Sequence, residues 1–175
     1  MTKTSSLRRH PPPRGAKQRR EVHTTNAERK RPLPPTYLFL GLIAMGLCHF
    51  LISGPRVMWS PWRFTGVPVI ALGAWLSIYA DALFKKLGTE IKPFRESSLL
   101  VIDGPFRFSR HPMYVGFLGV LAGAAILAGT VTPLVVFAVM VWLFTAHFVI
   151  PEERHMEEQF GETYREYRAR VRRWF

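Results

Sequence analysis

Four apolar runs set the pattern of the chain. The first extends from Tyr37 to about Ser53, carries no charged residue and ends at Gly54-Pro55. The second covers Gly66 to about Phe84, the third residues 113–129 and the fourth residues 132–150. A bilayer core of ~30 Å takes about 20 helical residues, so the first run is near the short limit for a span. The third and fourth are joined by Gly129, Thr130, Val131 and Thr132, a link that admits only a tight helical hairpin. Thr132-Pro133 has the form of an N-cap followed by a proline at the first helical position. A polar loop, residues 85–112, separates the second run from the third and holds a short apolar piece, Ser98–Ile102. From Pro151 the chain turns polar, yet Met156, Phe160, Tyr164, Tyr167, Val171 and Trp174 recur at helical spacing. That stripe predicts a C-terminal amphipathic helix docked on the membrane surface or on the body of the protein. The predicted fold is therefore all-α and integral to the membrane. It has about four transmembrane helices, including the hairpin 113–129/132–150, plus the amphipathic helix. No GxGxxG or P-loop pattern occurs, so no Rossmann domain is expected.

Charge gives this pattern an orientation. The net charge is +12 over 175 residues, which by itself suits nucleic acid or an anionic membrane. The 48% of residues that are hydrophobic lie in long blocks, and this favours the membrane. Lys and Arg number ten before the first run and two in the next loop, Arg56 and Arg63. Six follow in the central loop, none in the hairpin turn and six after residue 150. By the positive-inside rule, four spans then leave both termini cytoplasmic. Residues 1–35, basic and Pro-rich, read as a disordered cytoplasmic tail, and residues 36–175 as the membrane domain. The tail lacks aromatic interleaving, so no nucleic-acid partner is expected. Membrane lipids and a hydrophobic small molecule are the expected partners. Cys48 is the single cysteine, which excludes an intrachain disulfide, and its apolar run makes it a poor nucleophile. Asp81, one turn from Lys85 and Lys86, reads as a paired interfacial charge, and His49 as a packed or interfacial histidine.

The candidate chemistry lies in the stretch Asp103–Gly116. Gly104-Pro105 marks a turn. Arg110, His111 and Tyr114 bring a fixed cation, an imidazole and a phenol into five residues. Pro112 suits the first position of the next helix, where its missing N–H costs nothing. Arg110 and His111 then sit at a helix start, where free N–H groups favour anions. Glu152 and Glu153 follow the hairpin on the same side of the membrane, so the two constellations must be close in space. Together they suit an amphoteric small molecule, with Arg or His for a carboxylate and Glu for an ammonium or ribose hydroxyls. The plainer reading is a basic membrane-surface anchor. A metal set of His111, His147, Glu152 and His155 competes, but no HExxH spacing is present. Ser109 lacks a nucleophile-elbow motif.

The ordered set Gly104–Gly116, Glu152-Glu153 and Phe160-Gly161-Glu162 with Tyr164, Tyr167 and Val171 resembles the isoprenylcysteine carboxyl methyltransferase family. More broadly it is similar to the membrane phospholipid methyltransferase superfamily. The resemblance covers roughly residues 88–175. It implies an integral-membrane methyltransferase that uses S-adenosylmethionine in a cytoplasm-facing pocket under the C-terminal helix. Carried over by position, Leu99, Leu100 and Val101 would supply cofactor-contacting backbone and Phe106 an aromatic contact. Arg110 with His111, Pro112, Met113 and Tyr114 would form the cofactor-binding His-Pro-x-Tyr region, and Glu152 with Glu153 its acidic partner. No metal is implied. Eukaryotic prenylcysteine enzymes carry an Arg shortly before the Glu run, where this chain reads His147-Phe148-Val149-Ile150. The implied acceptor is therefore amphiphilic or lipid-like, with a prenylcysteine carboxylate only one option. A catalytically silent scaffold of the same fold and a membrane reductase of related architecture are the alternatives.

Overall fold

The computed structural model describes residues 33–52, 54–86 and 100–174. Of the expected tail only residues 33–35 fall within that range, and the loop residues 87–99 fall outside it. The described residues are helical, with a single isolated bridge between Arg56 and Thr130. Helix α1 spans Pro34–Leu51, α2 Gly66–Lys86, α3 Pro112–Ala128, α4 Val131–Phe144, α5 Ile150–Phe160 and α6 Glu162–Arg170. Three helical stretches are long and apolar enough to cross a bilayer: Pro34–Leu51, Trp62–Lys86 and Val131–Phe160. Helix α3 is a shorter apolar helix of 17 residues. The expected all-α integral-membrane fold is present.

The helices alternate in direction. Beyond the C-terminal end of α3, Val57 donates to the Gly129 carbonyl at 2.9 Å and Val131 to the Pro55 carbonyl at 3.1 Å. His49 meets the Thr130 hydroxyl at 2.9 Å, a packed histidine as its sequence position suggested. The α1–α2 loop and the hairpin turn thus share one end of the bundle. The start of α3 and the far end of α4 share the other.

Close helix contact depends on missing side chains. Helix α3 packs most extensively on α2. A Cβ added at Gly73 would lie 2.6 Å from the Gly116 carbonyl oxygen, and one at Gly116 only 2.5 Å from that of Gly73. The small-residue face of α3 is therefore a helix–helix seam. On its opposite side, Leu121, Phe117 and Tyr114 join Met45 of α1, Met140 and Phe144 of α4, and Phe148 and Val149 beyond it in one buried cluster. Phe39, Ile43, Phe50, Leu72, Trp75, Ile78 and Trp142 point outward, as lipid-facing positions do. At the membrane edge, Asp81 pairs with Lys85 at 2.6 Å, the interfacial pair expected from the sequence.

Two boundaries differ from the sequence pattern. Thr130, not Thr132, precedes the fourth helix, and Pro133 is its third residue. Gly129 ends α3 at a φ of 71°, and Pro133 still falls in the first turn, where a missing N–H is harmless. Nor does Pro151 begin a separate amphipathic helix. Thr145–Val149 form a π turn in which the Ile150 N–H donates to the Thr145 carbonyl. This wider turn absorbs the proline, whose ring would clash with the carbonyl four residues back in a regular helix. The helical rod that begins with the fourth span consequently continues, past the apolar part, to Phe160. The break comes at Gly161, with φ 55°, and α6 turns back from there.

Candidate functional site

The candidate site lies where four parts of the chain meet: the Gly104–Arg107 turn, the start of α3, the first turn of α5, and α6 with its tail. The apolar part of the α4–α5 rod ends near Ile150. Its 131–150 stretch is about 30 Å long and matches a bilayer core, so Glu152 and Glu153 stand beyond the hydrocarbon. His111 precedes α3 with Pro112 as the first helical residue, as its sequence position predicted.

Glu153 is the hub, with 6% of its surface exposed. Its Oε1 accepts from Arg173 Nε at 3.1 Å and its Oε2 from Arg173 Nη2 at 2.7 Å. Arg110 Nη1 stands 3.1 Å and His111 Nε2 3.4 Å from Oε1. Burial pushes the Glu153 carboxyl up. The hydrogen bonds from His111 and Arg173 and the charge of Arg110 outweigh that and hold it at about 2. Glu152 takes a different partner, accepting from the Tyr114 hydroxyl at 2.9 Å.

The segment after α6 straps this cluster down. Arg110 N–H donates to the Arg172 carbonyl at 3.1 Å, and the Ser109 hydroxyl to the Arg173 carbonyl at 3.1 Å. That hydroxyl also accepts from the His111 N–H at 3.2 Å. Trp174 lies 6.4 Å from the His111 ring and packs against the core. The Tyr167 hydroxyl donates to the Phe106 carbonyl at 2.7 Å, and burial pushes that phenol up to about 12. Tyr164, one turn earlier on the same face, is 2% exposed, and among the described residues its hydroxyl makes no well-aligned hydrogen bond. Its pKa is raised by burial and by the Glu153 charge, while the facing Arg110 guanidinium pulls it back. Among the described residues Arg110 Nε and Nη1 and His155 Nε2 are likewise buried without a hydrogen bond, although Arg110 Nη1 is ion-paired with Glu153.

Arg110, His111, Tyr114, Glu152 and Glu153 are thus brought together as the sequence placed them. Phe106 and Pro112 are buried beside them, and Met113 offers its carbonyl to Ser77 at 3.1 Å. Val101 is buried, whereas Leu99 lies outside the described residues. Leu100 lines a different feature, an open cavity of about 340 Å³ bordered also by Ile102, Asp103, Arg107, Thr163, Tyr167, Arg170 and Val171. The polar cluster does not border that cavity. The proposed metal set is not assembled. His147 is exposed and bonded to the Leu143 carbonyl of its own helix. Among the described residues no group of three His, Cys, Asp or Glu is placed to hold an ion. Sequence reasoning missed Arg173, Ser109 and Tyr164. The aromatic stripe of α6 pointed to Tyr164 only as a docking residue, and nothing local marked Arg173 among six late arginines.

Fold and cluster define a class: a helical membrane protein with a buried ionic hub at one face of the bilayer. Within that class, a phospholipid methyltransferase family profile matches residues 62–163, and the chain belongs to this family. The curated relatives that match are protein-S-isoprenylcysteine O-methyltransferases. The chain is similar to a protein-S-isoprenylcysteine O-methyltransferase of Schizosaccharomyces pombe, 36% identical over 42% of this chain and 31% of the relative. It is 33% identical to protein-S-isoprenylcysteine O-methyltransferase B of Arabidopsis thaliana over 61% of this chain and 55% of that protein. A Saccharomyces cerevisiae protein-S-isoprenylcysteine O-methyltransferase is 34% identical over 46% of this chain and 34% of its own length. The chain thus spans about half the length, or less, of the curated relatives it matches. No solved structure matches it significantly.

Proposed function

We propose that this chain is an integral-membrane methyltransferase that uses S-adenosylmethionine and acts on a small amphiphilic or lipid-like acceptor. The acceptor would be isoprenylcysteine carboxylate-like or phospholipid-like. The observation that carries this reading is the convergence of Arg110, His111, Tyr114, Glu152 and Glu153 at one end of the bundle, each engaged by a defined partner. The donor set fits the methyl donor. Arg110 retains buried, unpaired N–H groups suited to its carboxylate. Glu152 is engaged by a single phenol, so lone pairs remain for an ammonium or ribose hydroxyls.

When bound, the sulfonium supplies an activated methyl group for in-line displacement. The chain's own contribution is positioning and exclusion of water. Glu153 holds the Arg110 and His111 side chains in place, and Tyr114 orients the Glu152 carboxylate. The strap Arg172–Trp174 covers the cluster from the aqueous side. A carboxylate acceptor needs no general base, and an acceptor bearing a proton would turn to His111 or Glu153. The acceptor enters from the bilayer or from the cytoplasm, the side to which the positive-inside rule would assign both termini.

Calorimetric binding of S-adenosylmethionine and S-adenosylhomocysteine to detergent-purified protein tests this reading. Saturable binding lost in His111→Ala and Glu152→Ala supports it, and lipid fractions with labelled methyl donor then identify the acceptor. Folded protein that binds neither ligand rejects it in favour of a silent scaffold.

A further inference from the structure

The hub leaves two donors over. Arg173 occupies both oxygens of Glu153, and His111 Nε2 faces the same carboxylate. Glu152 is engaged by Tyr114. Among the described residues Arg110, its side chain only 9% exposed, has no hydrogen bond at Nε and only a misaligned ion pair with Glu153 at Nη1, and the 2% exposed Tyr164 has no well-formed hydrogen bond at its hydroxyl. Buried donors without acceptors are uncommon in folded proteins, and each asks what supplies the missing lone pairs.

The Arg110 guanidinium lies beside the Tyr164 hydroxyl, because α6 closes onto the Gly104–His111 segment. Tyr167, one turn beyond Tyr164, is tied to Phe106, and Arg110 is tied through its backbone to Arg172. Arg110 and Arg173 share the carboxylate of Glu153, while Glu152, the other acid of the cluster, is turned to Tyr114. A missing acceptor in such a place is best filled by an anion, and a guanidinium beside a phenol suits the flat carboxylate group.

We infer that Arg110 and Tyr164 form a cradle for a ligand carboxylate, which makes Tyr164 a binding residue of the site and Glu153 the group that positions it. This rests on the methyl-transfer reading. The carboxylate belongs either to the methionine moiety of the methyl donor or to the acceptor.

Tyr164→Phe keeps the buried ring and removes only the hydroxyl. Its binding to S-adenosylhomocysteine is compared with that to 5′-methylthioadenosine, which lacks the amino-acid carboxylate. N-acetyl-S-farnesylcysteine and its carboxamide serve as acceptor probes. A loss of about tenfold or more for S-adenosylhomocysteine, with methylthioadenosine unchanged, assigns the cradle to the methyl donor. Unchanged donor binding with a raised KM for farnesylcysteine, but an unchanged inhibition constant for its carboxamide, which has no carboxylate to methylate and only competes, assigns it to the acceptor. Unchanged values throughout, or equal loss for both nucleosides, overturn the cradle. Arg110→Lys, which keeps the charge but not the Nε–H, provides a second variant and should follow the same pattern. Wild-type protein that binds neither nucleoside rejects the methyl-donor reading itself and withdraws the cradle with it.

Discussion

Arg173 grips both oxygens of the Glu153 carboxylate, at 3.1 and 2.7 Å, across the chain reversal at Gly161. The contact joins the end of the membrane-crossing rod to the strap that follows α6. It gives a buried acid a partner from outside the local helix.

The two ends of this pair are unequal. The Arg173 side chain is 39% exposed and Glu153 also has Arg110 and His111, so Arg173→Ala should cost about 1 kcal/mol. Glu153→Gln leaves Arg110 as a buried cation without a counter-charge and should cost about 3–5 kcal/mol. Thermal unfolding in detergent reads both. Equal losses in the two variants would contradict the hub arrangement.

Acid should loosen the cluster. The Glu153 carboxyl sits at about 2, below its ordinary 4.5. A depressed folded-state pKa gives stabilisation that is full above the unfolded value and lost as pH falls through the folded one. About 3 kcal/mol should therefore disappear between roughly pH 4.5 and pH 2. Glu153→Gln should flatten that limb of the stability curve, and an unaltered limb would show that other carboxyls carry it.

The α2–α3 seam should tolerate no side chain. Gly73→Ala drives a methyl against the Gly116 carbonyl oxygen and should lower stability by about 1–3 kcal/mol or more. Gly46, where an added Cβ meets nothing within 4 Å, is the control, and Gly46→Ala should leave the melting temperature unchanged or slightly raised.

Removing the Tyr167 hydroxyl strands the buried Phe106 carbonyl. Tyr167→Phe should cost about 1–3 kcal/mol. Asp81→Asn, which breaks an exposed pair, should cost under about 1 kcal/mol. A ranking reversed in unfolding measurements would mean that the Tyr167 bond is not formed in the membrane protein.

The spans were legible because lipid demands long uninterrupted apolar runs, and little else produces them. Pro112 marked the start of α3 for a similarly local reason. The end of the fourth helix was not legible, because Pro151 carries the usual signal of a break and only the π turn at Thr145–Val149 reveals that it is absorbed. Arg110, His111, Tyr114 and both glutamates were found through charge alternation and the order of motifs. Arg173 and Tyr164 depend on the direction in which α6 returns. The φ of Gly161 sets that direction, and the same hydrophobic stripe is compatible with many return angles.

The unbroken rod from Val131 to Phe160 has a mechanical meaning. It is about 45 Å long, of which the bilayer grips the lower two-thirds. Glu152 and Glu153 therefore ride on it like marks on a dipstick. Their height above the lipid is set by how deeply the apolar end is seated, and a thinner or thicker membrane raises or lowers them as a pair.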